Sequence, residues 1–344
     1  MRKIFSVILC LCLCLFWVGT SGALEIAKPD KPYTIGWSTI YLSPSWMQIT
    51  NKWLEDRAAY WQEKGVVEKV TVANANGDTA LQIAQIENMI SQGYDAIIVV
   101  VGSETALNAV CEKAEATGIK IISFDSLPST DKITSKMTPP QELFGSLWAT
   151  WLVENMGTTG NIIVHGGPAG VALVEQRYNG AMEIINKYPG IKVVANLHSE
   201  YNEAPAMNDL RPVLDANPNI TGVLALGGAQ SSAALKLMQE KGMKLVPITG
   251  ENYNGYLKNW YSEIANGFES IAVCQPNWMS ALSLDLAIRA IQGFKVPAKI
   301  DLEPPVVTND NIGDYVPNDF PDDYYVLPPI GEDDYDKILG PLEK

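Results

Sequence analysis

Side chains able to do covalent or metal chemistry are few in this 344-residue chain and do not cluster. Its two histidines, His165 and His198, have no neighbouring ligand pattern, which argues against a metal site. No serine elbow or dinucleotide fingerprint is present, and hydrolytic or redox catalysis needs a partnered nucleophile or a cofactor loop. The turn His165-Gly166-Gly167-Pro168-Ala169-Gly170 lacks both the Gly-x-Gly-x-x-Gly spacing and a Gly-Lys-Ser/Thr ending. It reads as a tight turn that lets backbone approach a ligand, and not as a phosphate cradle. What the chain does offer is non-covalent: polar and aromatic residues concentrated just after short apolar segments. Asp125 and Glu251 stand out because each closes one of two matched stretches.

Those stretches define the elements that position them. Asp95 through Val101 and Gly102 precede a helical segment, then Gly118, Ile119–Ile122 and Asp125. Thr221 through Leu226 and Gly227 precede another, then Gly242, Met243–Val246 and Glu251. Each unit runs thirty positions from first to last. Further strands are expected at Tyr33–Trp37, Val67–Val72, Ala96–Val101, Lys120–Phe124, Asn161–His165, Lys192–Leu197, Gly222–Leu226, Lys244–Thr249 and Ser270–Val273. Runs such as Ala96–Val101 are apolar without alternation, as in parallel strands buried on both faces. Between them lie segments of helical period. The clearest follows Asp78, a good N-cap, and carries Ile83, Ile86, Met89 and Ile90 on one face before Gly93. Strand–helix–strand repetition gives right-handed crossovers and an α/β fold of doubly wound parallel sheets. Ligands of such sheets bind beyond the carboxyl ends of the strands.

The chain opens with Arg2-Lys3, an apolar run from Ile4 to Val18, and small residues from Gly19 to Ala23. This is the layout of a signal peptide cleaved after residue 23, since about twenty residues are needed to span a bilayer. Cys10, Cys12 and Cys14 lie inside that run, and each follows Leu where a lipid-bearing Cys follows a small residue. Cleavage leaves about 320 residues, enough for two domains. It removes two basic residues and takes the net charge from −14 to −16, a charge that repels phosphate backbones and argues against nucleic acid as a partner. The remaining Cys111 and Cys274 read as ordinary buried residues.

Several segments, in order, resemble the type I periplasmic solute-binding proteins of ABC importers, the ribose- and galactose-binding kind. They are Gln85-Ile86-Glu87-Asn88-Met89-Ile90-Ser91-Gln92-Gly93-Tyr94-Asp95-Ala96-Ile97-Ile98-Val99, Gly118–Asp125, Arg177-Tyr178-Asn179-Gly180, Gln275-Pro276 and Phe320–Tyr325. The resemblance implies two lobes joined by a three-segment hinge, with crossings near Met137–Pro139, Cys274–Pro276 and Asp301–Pro304. It divides the chain into a signal peptide (1–23), a first lobe (31–138 plus 276–302), a second lobe (139–275 plus 303–330) and a C-terminal tail (331–344). It implies a periplasmic location, no enzymatic activity and no cofactor. The partners implied are a small polar, sugar-like ligand and an ABC permease; a membrane sensor is the alternative partner.

The same resemblance assigns the ligand contacts. Ser38, Thr39 and Tyr41 follow the first strand, and Trp46 supplies a flat platform for a sugar face. The spacing of Trp46, Ile49 and Trp53 places Trp46 equally well in a core. Asp125 takes the position of a carboxylate that accepts hydrogen bonds from sugar hydroxyls, with Ser126 after it where ribose-type members often carry Arg. Glu251 is its counterpart in the second lobe, Tyr201 an aromatic wall, and Gln275 a donor and acceptor at the second crossing. Glu175 occupies the position of a family arginine unless a small shift brings in Arg177. Three carboxylates facing one cleft would favour an amine-bearing ligand such as an amino sugar; a solvated Glu175 at a helix start is the other reading.

Overall fold

The computed structural model describes residues 24–43, 45–316, 318–328 and 330–344, so the expected signal peptide lies outside the described residues. The chain runs β1 (Tyr33–Thr39), α1 (Ser45–Glu63), β2 (Val67–Asn74), α2 (Thr79–Ser91), β3 (Ala96–Val100), α3 (Asn108–Ala116), β4 (Lys120–Phe124) and β5 (Ser135–Thr138). It continues with α4 (Gln141–Met156), β6 (Thr159–Gly166), α5 (Ala172–Ile185), β7 (Gly190–His198), α6 (Glu203–Ala216), β8 (Gly222–Ala225), α7 (Gly228–Glu240), β9 (Ile248–Gly250), α8 (Asn254–Glu263) and β10 (Ser270–Val273). It ends with α9 (Met279–Ile291), β11 (Lys299–Asp301), β12 (Val306–Thr308) and α10 (Glu332–Leu339).

The strands form two six-stranded sheets, ordered β11-β5-β4-β3-β1-β2 and β12-β10-β9-β8-β6-β7. Read position by position, the orders are the same, with β3 and β4 matching β8 and β9. The thirty-residue echo is therefore a repeat of architecture, and Asp125 and Glu251 both directly follow equivalent strands. The chain passes from one sheet to the other after Thr138, Val273 and Asp301, where Pro139, Pro140, Pro276, Pro304 and Pro305 fix the backbone.

Each sheet is buried on both faces, which is why its central strands carry unbroken apolar runs. In the first lobe Trp37, Ile98 and Ile122 face Leu54 of α1 and Leu284 and Ile288 of α9. Ile97, Val99 and Ile121 face Ile86 of α2 and Val110 of α3. In the second, Phe144 and Trp148 of α4 cover Ile162 and Leu224, while Leu214 of α6 and Leu235 of α7 cover Ile163 and Val223. Asp78 caps α2 as its type predicts, its carboxylate accepting from the Ala80 and Leu81 amides.

Three differences from the sequence expectation have local causes. The strand expected over Lys244–Thr249 begins only at Ile248, because Pro247 has no N–H to give the ladder. β5, β11 and β12 are three or four residues long and partly polar, too short for a periodic signal. Residues 331–344, expected as a C-terminal tail, carry α10. Tyr335 and Leu339 of α10 enter the core of the first lobe, although the segment just before, through Val326, packs on the second.

Candidate functional site

The site grows out of one close helix crossing. α4 and α5 meet at Gly145 and Gly180, where an added Cβ would lie 1.9 Å from the Arg177 carbonyl and 2.1 Å from the Glu142 carbonyl. Only glycine admits that approach, and it lays Arg177 of α5 beside Gln141 at the start of α4. The guanidinium, stacked 4.6 Å from the Phe144 ring centre, donates through Nε to Gln141 Oε1 at 2.9 Å. Through its Nη1 it donates to Glu251 Oε1 at 2.8 Å and to the Leu226 carbonyl at 3.2 Å. Glu251 Oε2 accepts from the Gly228 amide at 3.3 Å, the first residue of α7, where the helix dipole favours an anion.

Asp125 reaches the same cluster from the other lobe. Its φ of 62° is left-handed, a conformation that costs about 1–3 kcal/mol for a non-glycine residue and marks functional turns. Its Oδ1 accepts from Gln275 Nε2 at 2.7 Å, and Gln275 Oε1 accepts from Gln141 Nε2 at 3.2 Å. Burial pushes the Asp125 carboxyl up to about 6, with Gln275 and Arg177 pulling it down and Glu251 pushing it further up. Burial likewise raises Glu251 against the pull of Arg177. Two carboxylates and one guanidinium thus meet between the lobes.

Tyr201 lies beside this cluster. Its ring occupies room left by two glycines: a Cβ on Gly167 would stand 2.4 Å from the ring, and one on Gly227 2.9 Å. The glycine turn after β6 therefore admits a side chain of this protein, where the sequence suggested it admits a ligand. The Tyr201 hydroxyl is buried without a hydrogen-bond partner among the described residues. Burial raises it to about 12, with Arg177 pulling it down and Glu251 and Asp125 pushing it further up. Its ring lies against Gly227, between Leu226, whose carbonyl Arg177 holds, and Gly228, whose amide Glu251 holds.

The other expected residues are placed as follows. Trp46 is half-buried, touches the cores of both lobes, and donates its indole N–H to the Gln275 carbonyl at 3.1 Å. It is anchored on the second passage between sheets. Ser38 is buried with its hydroxyl unpartnered, and buried Thr39 spends its hydroxyl on the Tyr41 carbonyl at 2.7 Å. Tyr41 is 49% exposed and leans on the Gly77 turn, outside the cluster. Ser126, half-buried, contributes backbone: its carbonyl accepts from the Val101 amide at 3.1 Å.

Glu175 is a correction. It is exposed in the first turn of α5 and stands apart from the cluster, and Arg177, two residues on, faces inward. One half-turn of helix separates the two, and the buried face is the one packed on α4. The premise of three facing carboxylates falls with it.

The sequence expectation gave no site role to Gln141, Asn277 or Tyr325. Asn277 donates to the Tyr325 carbonyl at 3.0 Å and keeps a buried unpartnered Oδ1. Tyr325 packs edge-on against Tyr253 beside the start of α7. The polar residues flanking the hinge prolines were the available signal for Gln141 and Asn277; for Tyr325 it was the Phe320–Tyr325 segment of the family resemblance.

A family profile described as the periplasmic binding protein domain matches residues 35–295. The xylitol-binding protein of Mycolicibacterium smegmatis is 27% identical over 242 residues, 70% of this chain and 68% of that protein. The ribose import binding protein of Bacillus subtilis is 24% identical over 306 residues, 87% of this chain and 97% of that one. An ABC transporter periplasmic solute-binding protein from Actinobacillus succinogenes, solved with bound D-allose, superposes with a TM-score of 0.70 at 27% identity, covering 83% of this chain and 100% of that one. Two like sheets, three passages between them and a match over most of its length agree: the chain belongs to the periplasmic binding protein domain family, whose members are binding proteins.

Proposed function

We propose that this protein is the extracytoplasmic substrate-binding subunit of an ABC importer, which closes its two lobes on a sugar or polyol and delivers it to the permease. The observation that carries this reading is the hydrogen-bonded chain that joins Asp125 of one lobe, through Gln275 and Gln141, to Arg177 and Glu251 of the other, with Asp125 and Glu251 at the carboxyl ends of equivalent strands. Carboxylates accept and guanidinium donates, so neighbouring hydroxyls of a polyol find partners of both kinds, strengthened by charge. Tyr201 supplies an aromatic face for the C–H surface, and Trp46 a second. Ser38, Thr39 and Ser126 border the same strand ends and complete the set, with Gln275 shared between ligand and hinge. The relatives named for xylitol, ribose and D-allose support a ligand of this class. The prolines on the three passages restrict the backbone that transmits lobe rotation. A signal peptide over residues 1–23 fits delivery to the periplasm.

The test is a thermal-shift and calorimetric screen of xylitol, D-ribose, D-xylose, D-allose and D-glucosamine. At a hundred times its Kd a ligand adds about 2.7 kcal/mol to stability. A neutral polyol should do this for the parent protein, and Asp125→Ala should bind it about ten- to a hundredfold more weakly. No response to any polyol would refute the reading.

A further inference from the structure

The two glutamines on the passages between lobes are joined to each other and, through each other, to both charged ends of the site. We infer that Gln141 is a positioning residue for ligand binding: with Gln275 it forms a one-way hydrogen-bond chain from Arg177 to Asp125 that sets the ligand-facing groups of both lobes as one unit. The inference rests on the site proposed above.

The direction of the chain follows from valence. Arginine only donates, so the Gln141 atom facing Arg177 Nε at 2.9 Å must be the amide oxygen. An ionised aspartate only accepts, so the Gln275 atom facing Asp125 at 2.7 Å must be the amide nitrogen. The two atoms left over, Gln141 Nε2 and Gln275 Oε1, then face each other in the one pairing that works, 3.2 Å apart. Turning either amide over would set nitrogen against nitrogen or oxygen against oxygen somewhere along the chain. Gln141 Nε2 also donates to the Pro139 carbonyl at 2.9 Å, which ties the amide to the first passage. Gln275 lies on the second passage, and its own carbonyl holds the Trp46 indole. Both glutamines are 4% exposed, so water does not replace these bonds. The permanent charge of Arg177 thereby imposes an acceptor role on Asp125, which has its own conformation fixed by a left-handed φ.

A residue that merely filled space at the hinge would be replaced by methionine with little consequence for Asp125. Without the Gln141 N–H, Gln275 Oε1 loses its donor, and the Gln275 amide is held from one end only, by Asp125, so the donor to Asp125 is less well fixed. The experiment has two readouts on Gln141→Met and Gln275→Met. The first is the ligand-free titration of the Asp125 carboxyl by carbon-13 NMR, identified by its loss in Asp125→Asn; its midpoint should rise in both variants. The second is calorimetry with whichever of xylitol, D-ribose, D-xylose and D-allose saturates the parent. Gln141→Met should weaken binding about threefold to tenfold. In the Asp125→Asn background the same change should weaken it by less than about twofold, because the two act through one chain. An unmoved Asp125 midpoint, or an equal Gln141→Met effect in both backgrounds, overturns the inference while the site stands. If Asp125→Asn itself binds as the parent does, the proposed site is wrong. If none of the sugars saturates the parent, the NMR midpoint alone decides the chain.

Discussion

Replacing Arg177 with methionine keeps most of the packing against Phe144 and removes the charge. What remains is Glu251, its side chain 6% exposed, with one backbone donor 3.3 Å away. Removing one partner of a buried ion pair typically costs about 3–5 kcal/mol. An upper bound comes from letting Glu251 take up a proton instead. Starting from its ordinary value of 4.5, holding it neutral in the folded state costs about 1.36 kcal/mol per pH unit above that point. The bound is therefore about 4 kcal/mol at pH 7.5 and about 1.4 kcal/mol at pH 5.5. The sign follows from linkage: a carboxyl raised by folding supports stability below its unfolded value and loses that support as pH rises. Urea unfolding of Arg177→Met and parent at the two pH values should show the difference shrinking on acidification, by no more than about 2.7 kcal/mol because burial already raises Glu251 in the parent. Adding Glu251→Gln should abolish most of that pH dependence. A penalty equal at both pH values, or one that Glu251→Gln leaves unchanged, would refute the claim that an uncompensated carboxylate is its source.

Three further outcomes are expected. Affinity for the saturating sugar should be flat above pH 6 and fall toward tenfold per unit below it, as the Asp125 carboxyl, held at about 6 by burial, takes up a proton; calorimetry from pH 4.5 to 8 checks this. Gly145→Ala should destabilise the protein by about 1–3 kcal/mol or more in urea titrations, and weaken binding as well, since the crossing it pries apart is what sets Arg177 against Gln141. Burial pushes the Cys111 thiol up to about 12 and Cys274 well above its ordinary range, so neither should react with iodoacetamide at pH 8 until the protein is unfolded.

The strands buried on both faces were legible in the sequence because burial forces an unbroken apolar run, and Ala96–Val100 has no other reading. Asp125 and Glu251 were legible because each ends such a run in a repeated unit. Glu175 and Arg177 were not separable, since both lie in one helical turn and only the packing of α5 on α4 decides which faces inward. That packing depends on Gly145 and Gly180, residues whose close approach leaves no periodic trace. Gln141 was missed for a related reason. Its role is fixed by partners 36 and 134 positions away, and a side-chain amide gives no hint of such partners in its own neighbourhood.

The path of the last residues bears on the order in which the molecule can be completed. The five parallel strands of the second sheet all lie within residues 159–273, one uninterrupted stretch of chain. The first lobe is assembled from both ends instead. The Ala27 amide pairs with Gln292 across 265 positions, and buried Arg57 is shared by Asp285, 228 positions on, and Glu332, 275 positions on. Arg289 holds the Gly340 carbonyl and Asp336. Contacts so distant in sequence form slowly, because a long loop must close before they contribute. The second lobe therefore has its parallel strands as soon as residue 273 is available, while the lobe that begins the chain stays open until its final helix arrives.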